Sequence, residues 1–179
     1  MDNQRHLLIL DLDETLVYAT ETPLDRPPDF QVAKFAVYRR PLLDEFLATV
    51  SSWFDLAVWS SASRLYVEAI VANILVCRDL RFIWSNDRCR RWFDSETVEH
   101  HWAKNLKKIR KLGFELDRVL MIDDTPEKLR KNYGNHIAVK PFEGDLGDTE
   151  LRILLPFLGS LRRVENVRTV EKRYWRTGR

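Results

Sequence analysis

Apolar residues fall along this chain in two alternating rhythms. Short, nearly continuous apolar runs occur at His6 to Leu10, Leu56 to Trp59, Arg81 to Trp84, Val119 to Ile122 and Ile137 to Val139. Each is too short for a helix of ordinary length and has the composition of a strand buried on both faces. Between them lie segments with apolar residues at helical spacing: Leu42 to Val50 behind Pro41, Leu65 to Leu75 behind the cap candidate Ser63, and Trp102 to Leu112 stopped by Gly113. Strands that alternate with helices form parallel sheets with crossover connections, so the pattern predicts an α/β fold.

Two segments fall outside this alternation. A Pro-rich stretch, Thr22 to Pro28, leads into Phe30 to Tyr38, where bulky residues alternate with others and no cap appears. This predicts a loop and a β-hairpin inserted after the first strand. Asp148 to Leu161 has an acidic start and helical spacing despite Pro156, and predicts a last helix. The segment from Arg162 to Arg179 is basic and polar, with Tyr174 and Trp175 near its end. It reads either as a packed terminal segment or as a strip that touches nucleic acid or an acidic partner. No repeat or low-complexity tract marks a boundary, so residues 1–179 are expected to form one domain with a core of about 6–162 and a basic segment 163–179.

Composition narrows the function classes only modestly. Lysine plus arginine (29) nearly balance aspartate plus glutamate (27), so net charge does not indicate a nucleic-acid binder. Cys77 and Cys89 lack disulfide-framework or zinc-site spacing and suit a reducing compartment. No stretch approaches the ~20 apolar residues of a membrane span, and Asp2, Asn3, Gln4 and Arg5 do not open a signal peptide. The expected location is cytoplasmic, or nuclear in a eukaryote, with no membrane partner.

The candidate chemistry sits at strand ends, where α/β sheets place ligands. The first strand runs Leu8-Ile9-Leu10 into Asp11-Leu12-Asp13, and a chain that curls over the sheet edge can turn both carboxylates toward one small volume. That arrangement would trap a hard cation. A bound Mg²⁺ would keep Asp11 ionised as a nucleophile against a phosphoryl group, with Asp13 as proton donor and acceptor. An acidic turn after a strand is the alternative reading of Asp-x-Asp alone. Val119 to Ile122 also ends in adjacent carboxylates, Asp123 and Asp124, and Ala57-Val58-Trp59 ends in Ser60. Four carboxylates and a hydroxyl would then share one sheet edge, where mutual repulsion calls for a divalent ion. Lys104, placed in the first turn of the third predicted helix, offers a compensating cation. His100 and His101 lack a third ligand, and Asp87 to Trp92 reads as a solvated basic loop.

Asp11, Asp13, Thr15, Ser60, Lys104, Asp123 and Asp124, in that order, resemble the haloacid dehalogenase superfamily of phosphatases. The resemblance sharpens toward the small phosphatases of the RNA polymerase II C-terminal domain, the NLI-interacting-factor-like family. It does so through Asp11 to Val17, Arg40-Pro41 with Asp44 to Leu47, and Asp148 to Leu151 with Leu154 to Phe157. The last motif departs from Asp-Asn, which is frequent in those relatives, and the segment between Val17 and Arg40 looks shorter. The resemblance implies a Rossmann-like sheet without a large cap domain and an aspartyl-phosphate intermediate on Asp11. It also implies Mg²⁺ held by Asp11, the Asp13 carbonyl and the pair Asp123 and Asp124, with Thr15, Ser60 and Lys104 on the substrate side. Phosphoserine or phosphothreonine protein is the preferred substrate. A small-molecule, nucleotide or nucleic-acid-end phosphatase and a non-catalytic phosphopeptide-binding module are the alternatives.

Overall fold

A computed structural model of the chain describes residues 5–94 and 99–177. Its centre is a five-stranded parallel sheet. In chain order the strands are β1 (Leu7–Leu10), β5 (Asp55–Trp59), β6 (Leu80–Trp84), β9 (Val119–Asp123) and β10 (His136–Ala138), and they lie side by side as β10-β9-β1-β5-β6. The chain leaves β1 toward β5 and β6, then returns to add β9 and β10 on the opposite side. Connections from β1 and β9 therefore diverge over the C-terminal ends of these two strands, and that is where a ligand crevice forms in such sheets.

Alternation along the buried strands divides the core. Leu8, Leu10, Leu56, Val58, Leu120 and Ile122 face one layer. Leu7, Ile9, Ala57, Trp59, Val119 and Met121 face the other. The first layer is covered by α1 (Leu43–Trp53), α2 (Arg64–Ile74) and α3 (Glu150–Leu161), whose apolar stripes supply Phe46, Val50, Ile70, Leu154 and Leu158. α3 runs through Pro156, whose missing N–H costs one helical bond while its neighbours Leu154 and Leu158 stay fully buried. The second layer is closed by Leu106, Ile109 and Leu129 from short 3₁₀ segments, Leu106–Leu112 and Pro126–Leu129.

Between β1 and α1 the chain forms an antiparallel sheet of β2 (Val17–Thr20), β4 (Phe35–Arg39) and β3 (Phe30–Val32), in the order β2-β4-β3. The hairpin expected from Phe30 to Tyr38 is present, and Val17–Thr20 joins it as a third strand. The region before Lys104 differs more from expectation. Instead of a basic loop and a helix from Trp102, β7 (Arg90–Asp94) pairs with β8 (Glu99–Ala103), and the 3₁₀ run starts only at Leu106. Cross-strand ring pairs account for the difference: Trp92 meets His101 at 5.1 Å and Phe93 meets His100 at 5.2 Å.

The basic terminal segment is packed. Trp175 is 6 % exposed, stacks on Phe157 and donates its indole N–H to the Ala138 carbonyl at 2.8 Å. Lys172 is buried too, and desolvation lowers its pKa to about 8 while its ammonium donates to the carbonyls of Val167 and Val170. Among the described residues no helix is long and apolar enough to cross a membrane. Cys77 and Cys89 are free thiols.

Candidate active site

Parallel pairing sets the geometry of the site. Leu10 lies opposite Ile122 in β9 and opposite Val58 in β5, so Asp11 and Asp123 leave neighbouring strands at the same level, with Ser60 just past the end of the third. The Asp11 N–H still donates to the Ile122 carbonyl at 3.1 Å, which makes Asp11 the last residue tied to the sheet. The chain then turns sharply at Glu14, whose φ of 59° is unfavourable for a non-glycine residue. Backbone bonds hold the turn: Glu14 N–H to Val17 O, Thr15, Leu16 and Val17 N–H to Leu12 O, and Phe142 N–H to Glu14 O. Arg40 secures it from beneath. Its fully buried guanidinium donates to the Thr15 carbonyl, to the Lys140 carbonyl and to both oxygens of Asp148, all at 2.8 to 2.9 Å.

Inside the turn, three carboxylates converge. Asp11, Asp123 and Asp124 each offer an oxygen, and these oxygens lie within 4.8 Å of one another. Two ammonium groups meet them. Lys104, with no exposed side-chain surface, bridges Asp11 Oδ1 at 2.8 Å and Asp123 Oδ2 at 2.7 Å. Lys128 approaches from the other side, 3.1 Å from Asp11 Oδ2, 3.6 Å from Asp123 Oδ1 and 3.8 Å from Asp124 Oδ1. The two lysines are also joined through the backbone, since Lys104 N–H donates to the Lys128 carbonyl at 2.7 Å. Asp124 is oriented by the hydroxyls of Thr125 at 2.9 Å and Thr15 at 3.4 Å.

Charge is distributed unequally. Burial alone pushes the Asp11 carboxyl up, but Lys104 and Lys128 together outweigh it and hold this group below the ordinary aspartate range. Asp123 goes the other way, to about 6, because burial and the Asp11 charge exceed what the lysines return. Asp13 lies outside the trio. Its carboxyl is raised mainly by burial, while Tyr66, from the first turn of α2, donates its hydroxyl to Asp13 Oδ1 at 2.5 Å and draws it part of the way back. Beside Asp13 and Tyr66 opens a cleft of about 360 Å³ whose apolar wall includes Tyr18, Ala19, Phe35 and Ala62.

The structure thus gathers Asp11, Asp123 and Asp124, sets Lys104 in contact with the first two, and places Asp13, Thr15 and Ser60 around them. Asp13 does not share the cation pocket with its carboxylate, as the sequence pattern suggested; that group faces Tyr66. Thr15 points its hydroxyl at Asp124, while Ser60 is buried and accepts the Ala62 N–H. Lys104 reaches the site from the end of β8 rather than from a helix. Sequence reasoning missed Tyr66 and Lys128. Lys128 follows Asp124 by four residues, a spacing that brings side chains together when the intervening chain is helical, as Pro126–Leu129 is. A trio of hard oxygen ligands, buried and short of positive charge, fits a divalent cation of the Mg²⁺ type.

Comparison with known proteins agrees with this fold. The "CTD nuclear envelope phosphatase 1 homolog" of Drosophila melanogaster is 32 % identical over 185 residues, covering 95 % of this chain and 73 % of that protein. The human "Carboxy-terminal domain RNA polymerase II polypeptide A small phosphatase 1" is 29 % identical over 176 residues, 94 % of this chain and 64 % of its own. Among solved structures, fission yeast Fcp1, an RNA polymerase II CTD phosphatase, bound to beryllium fluoride superposes with a TM-score of 0.59 at 22 % identity. The match covers 87 % of this chain and 46 % of that one, so the chain spans about half the length of that structure and shares its α/β fold. The family described as NLI interacting factor-like phosphatase matches residues 6–168, nearly the full length, and the chain belongs to that phosphatase family, of the haloacid dehalogenase type.

Proposed function

We propose that this protein hydrolyses phosphomonoesters on phosphoserine or phosphothreonine proteins through an aspartyl-phosphate on Asp11, with Mg²⁺ as its ion. One observation carries the reading: Asp11 lies inside the buried carboxylate trio with Lys104 on its Oδ1, while Asp13, two residues on, turns its carboxyl to Tyr66 and the open cleft. The charges around them act in the same sense, holding Asp11 toward the ionised form and Asp13 toward the protonated form. Such a split supports Asp11 as the nucleophile and Asp13 as the acid.

In the first step an Asp11 oxygen attacks phosphorus, the bond to the leaving oxygen breaks, and Asp13 gives that oxygen its proton. In the second step Asp13 takes a proton from water as the water oxygen attacks phosphorus. The Asp11–phosphorus bond breaks and inorganic phosphate leaves. Lys104, which pairs with Asp11, would meet a phosphoryl oxygen that develops charge, and the Ser60 hydroxyl would donate to another. The Asp11 carboxylate, the Asp13 carbonyl and Asp123 or Asp124 would hold Mg²⁺, which supplies charge neutralisation for the incoming dianion. The open cleft beside Asp13, walled by Phe35 from the inserted sheet and by Tyr18 and Tyr66, suits a peptide side chain better than a fully enclosed metabolite.

The test is hydrolysis of phosphopeptides, 5′-nucleotides and sugar phosphates with Mg²⁺ and with excess chelator, for the wild type and Asp11→Asn. Activity is expected to vanish with chelator and with Asp11→Asn, and beryllium fluoride with Mg²⁺ is expected to inhibit the wild type and to bind it, while Asp11→Asn fails to bind it. Undiminished turnover by metal-free protein would refute the mechanism. A nucleotide preferred over every phosphopeptide by about two orders of magnitude in kcat/KM, roughly 2.7 kcal/mol, would refute the substrate class.

A further inference from the structure

Both oxygens of Asp11 are occupied in this structure: Oδ1 by Lys104 and Oδ2 by Lys128. A carboxylate that binds an ion or attacks phosphorus needs one of them back. The two lysines are not equally able to leave. Lys104 has no exposed side-chain surface and is pinned between two buried carboxylates. Lys128 keeps 18 % of its side chain exposed, stands on a short 3₁₀ segment, and makes its two other contacts at the longer distances of 3.6 and 3.8 Å. It also draws on all three carboxylates of the trio, whereas Lys104 draws on two.

We infer that Lys128 is the resident cation of this pocket: its ammonium holds Asp11, Asp123 and Asp124 together in the metal-free protein and gives way when a divalent ion enters. Metal loading is then an exchange of ammonium for metal. The inference rests on the reading of the trio as a metal site and adds to it a built-in competitor. Like charges a few ångströms apart repel appreciably even at the dielectric of water, so ammonium and metal cannot share the pocket without loss. Three carboxylates left with Lys104 alone would repel one another, and Lys128 offsets that cost. It also makes metal affinity lower than the carboxylate count suggests. Once displaced, the ammonium remains tethered beside the opening of an anion-binding site.

The experiment uses the full chain and titrates Mg²⁺ calorimetrically into wild type, Lys128→Gln and, as a control for net charge, Lys131→Gln, whose residue is exposed in the turn just past the Pro126–Leu129 segment. Lys128→Gln is expected to bind Mg²⁺ at least about tenfold more tightly than the other two proteins, and to melt below the wild type in chelator while recovering in saturating Mg²⁺. A second measurement needs no variant. Amine-modifying reagent followed by mass spectrometry should label Lys128 of the wild type several-fold faster with saturating Mg²⁺ than with chelator, relative to Lys131. Equal Mg²⁺ affinity in all three proteins, or Lys128 labelling indifferent to Mg²⁺, overturns the exchange and leaves the metal site standing. No Mg²⁺ binding by any of the three overturns the metal reading itself.

Discussion

Replacing Tyr66 with Phe removes one oxygen and little else. The ring keeps its edge contact with Phe35, 5.8 Å between centroids, and the fold loses no buried volume of consequence. What disappears is the 2.5 Å hydrogen bond to Asp13 Oδ1. A hydrogen bond to a charged acceptor contributes about 1.5–3 kcal/mol, and 1.36 kcal/mol corresponds to one pKa unit. Full loss would therefore raise the Asp13 carboxyl, already raised by burial, by about one to two units further. Water can enter from the open cleft and replace part of the bond, so the shift should lie near the lower figure. The sign follows from the role. Asp13 must be protonated when the leaving oxygen departs, and a higher pKa keeps it protonated to higher pH. The descending limb of the kcat/KM–pH profile should therefore move upward by about one unit in Tyr66→Phe. The assay is a pH profile on a phosphoserine peptide, paired with an aryl phosphate whose leaving group needs little proton assistance and whose limb should be weak in both proteins. A limb that stays in place or moves to lower pH would show that Tyr66 does not tune the acid, or that Asp13 is not the acid.

Arg40→Met should cost about 3–5 kcal/mol, because it strands the Asp148 carboxylate and the carbonyls of Thr15 and Lys140 without their buried donor. For a chain of this size that lowers Tm by roughly 10 °C. Pairing it with Asp148→Leu should recover part of the loss, and a single-variant loss below about 1 kcal/mol in urea denaturation would remove Arg40 as the support of the Asp11 turn. Trp175→Ala should cost about 3–5 kcal/mol by emptying the space against Phe157 and removing one of the two donors to the Ala138 carbonyl, the other being Arg176. An unchanged denaturation midpoint would mean that the basic segment is not docked in solution.

The sequence by itself determined the frame of the site. Apolar runs of strand length that stop at Asp11, Ser60 and Asp123 are local features, and burial on both sheet faces permits little else at those positions. From that pattern follow a parallel sheet and a cluster of carboxylates at its C-terminal edge, because hydrophobic segments must be buried and their polar ends must not. The same local logic failed between Asp87 and Ala103, where two strands hold each other through Trp92–His101 and Phe93–His100 pairs, cross-strand contacts that the apolar pattern of either segment does not register. It also failed for partners chosen across the fold. Tyr66 meets Asp13 across 53 residues and Lys128 meets Asp11 across 117, and neither side chain differs locally from an ordinary helix-surface tyrosine or lysine. Their significance arises from the stacking of α2 and the Pro126–Leu129 turn on a sheet edge crowded with buried negative charge. Which charge is neutralised, and by whom, depends on distances of a few ångströms in a medium of low dielectric. Only the packed chain sets those distances.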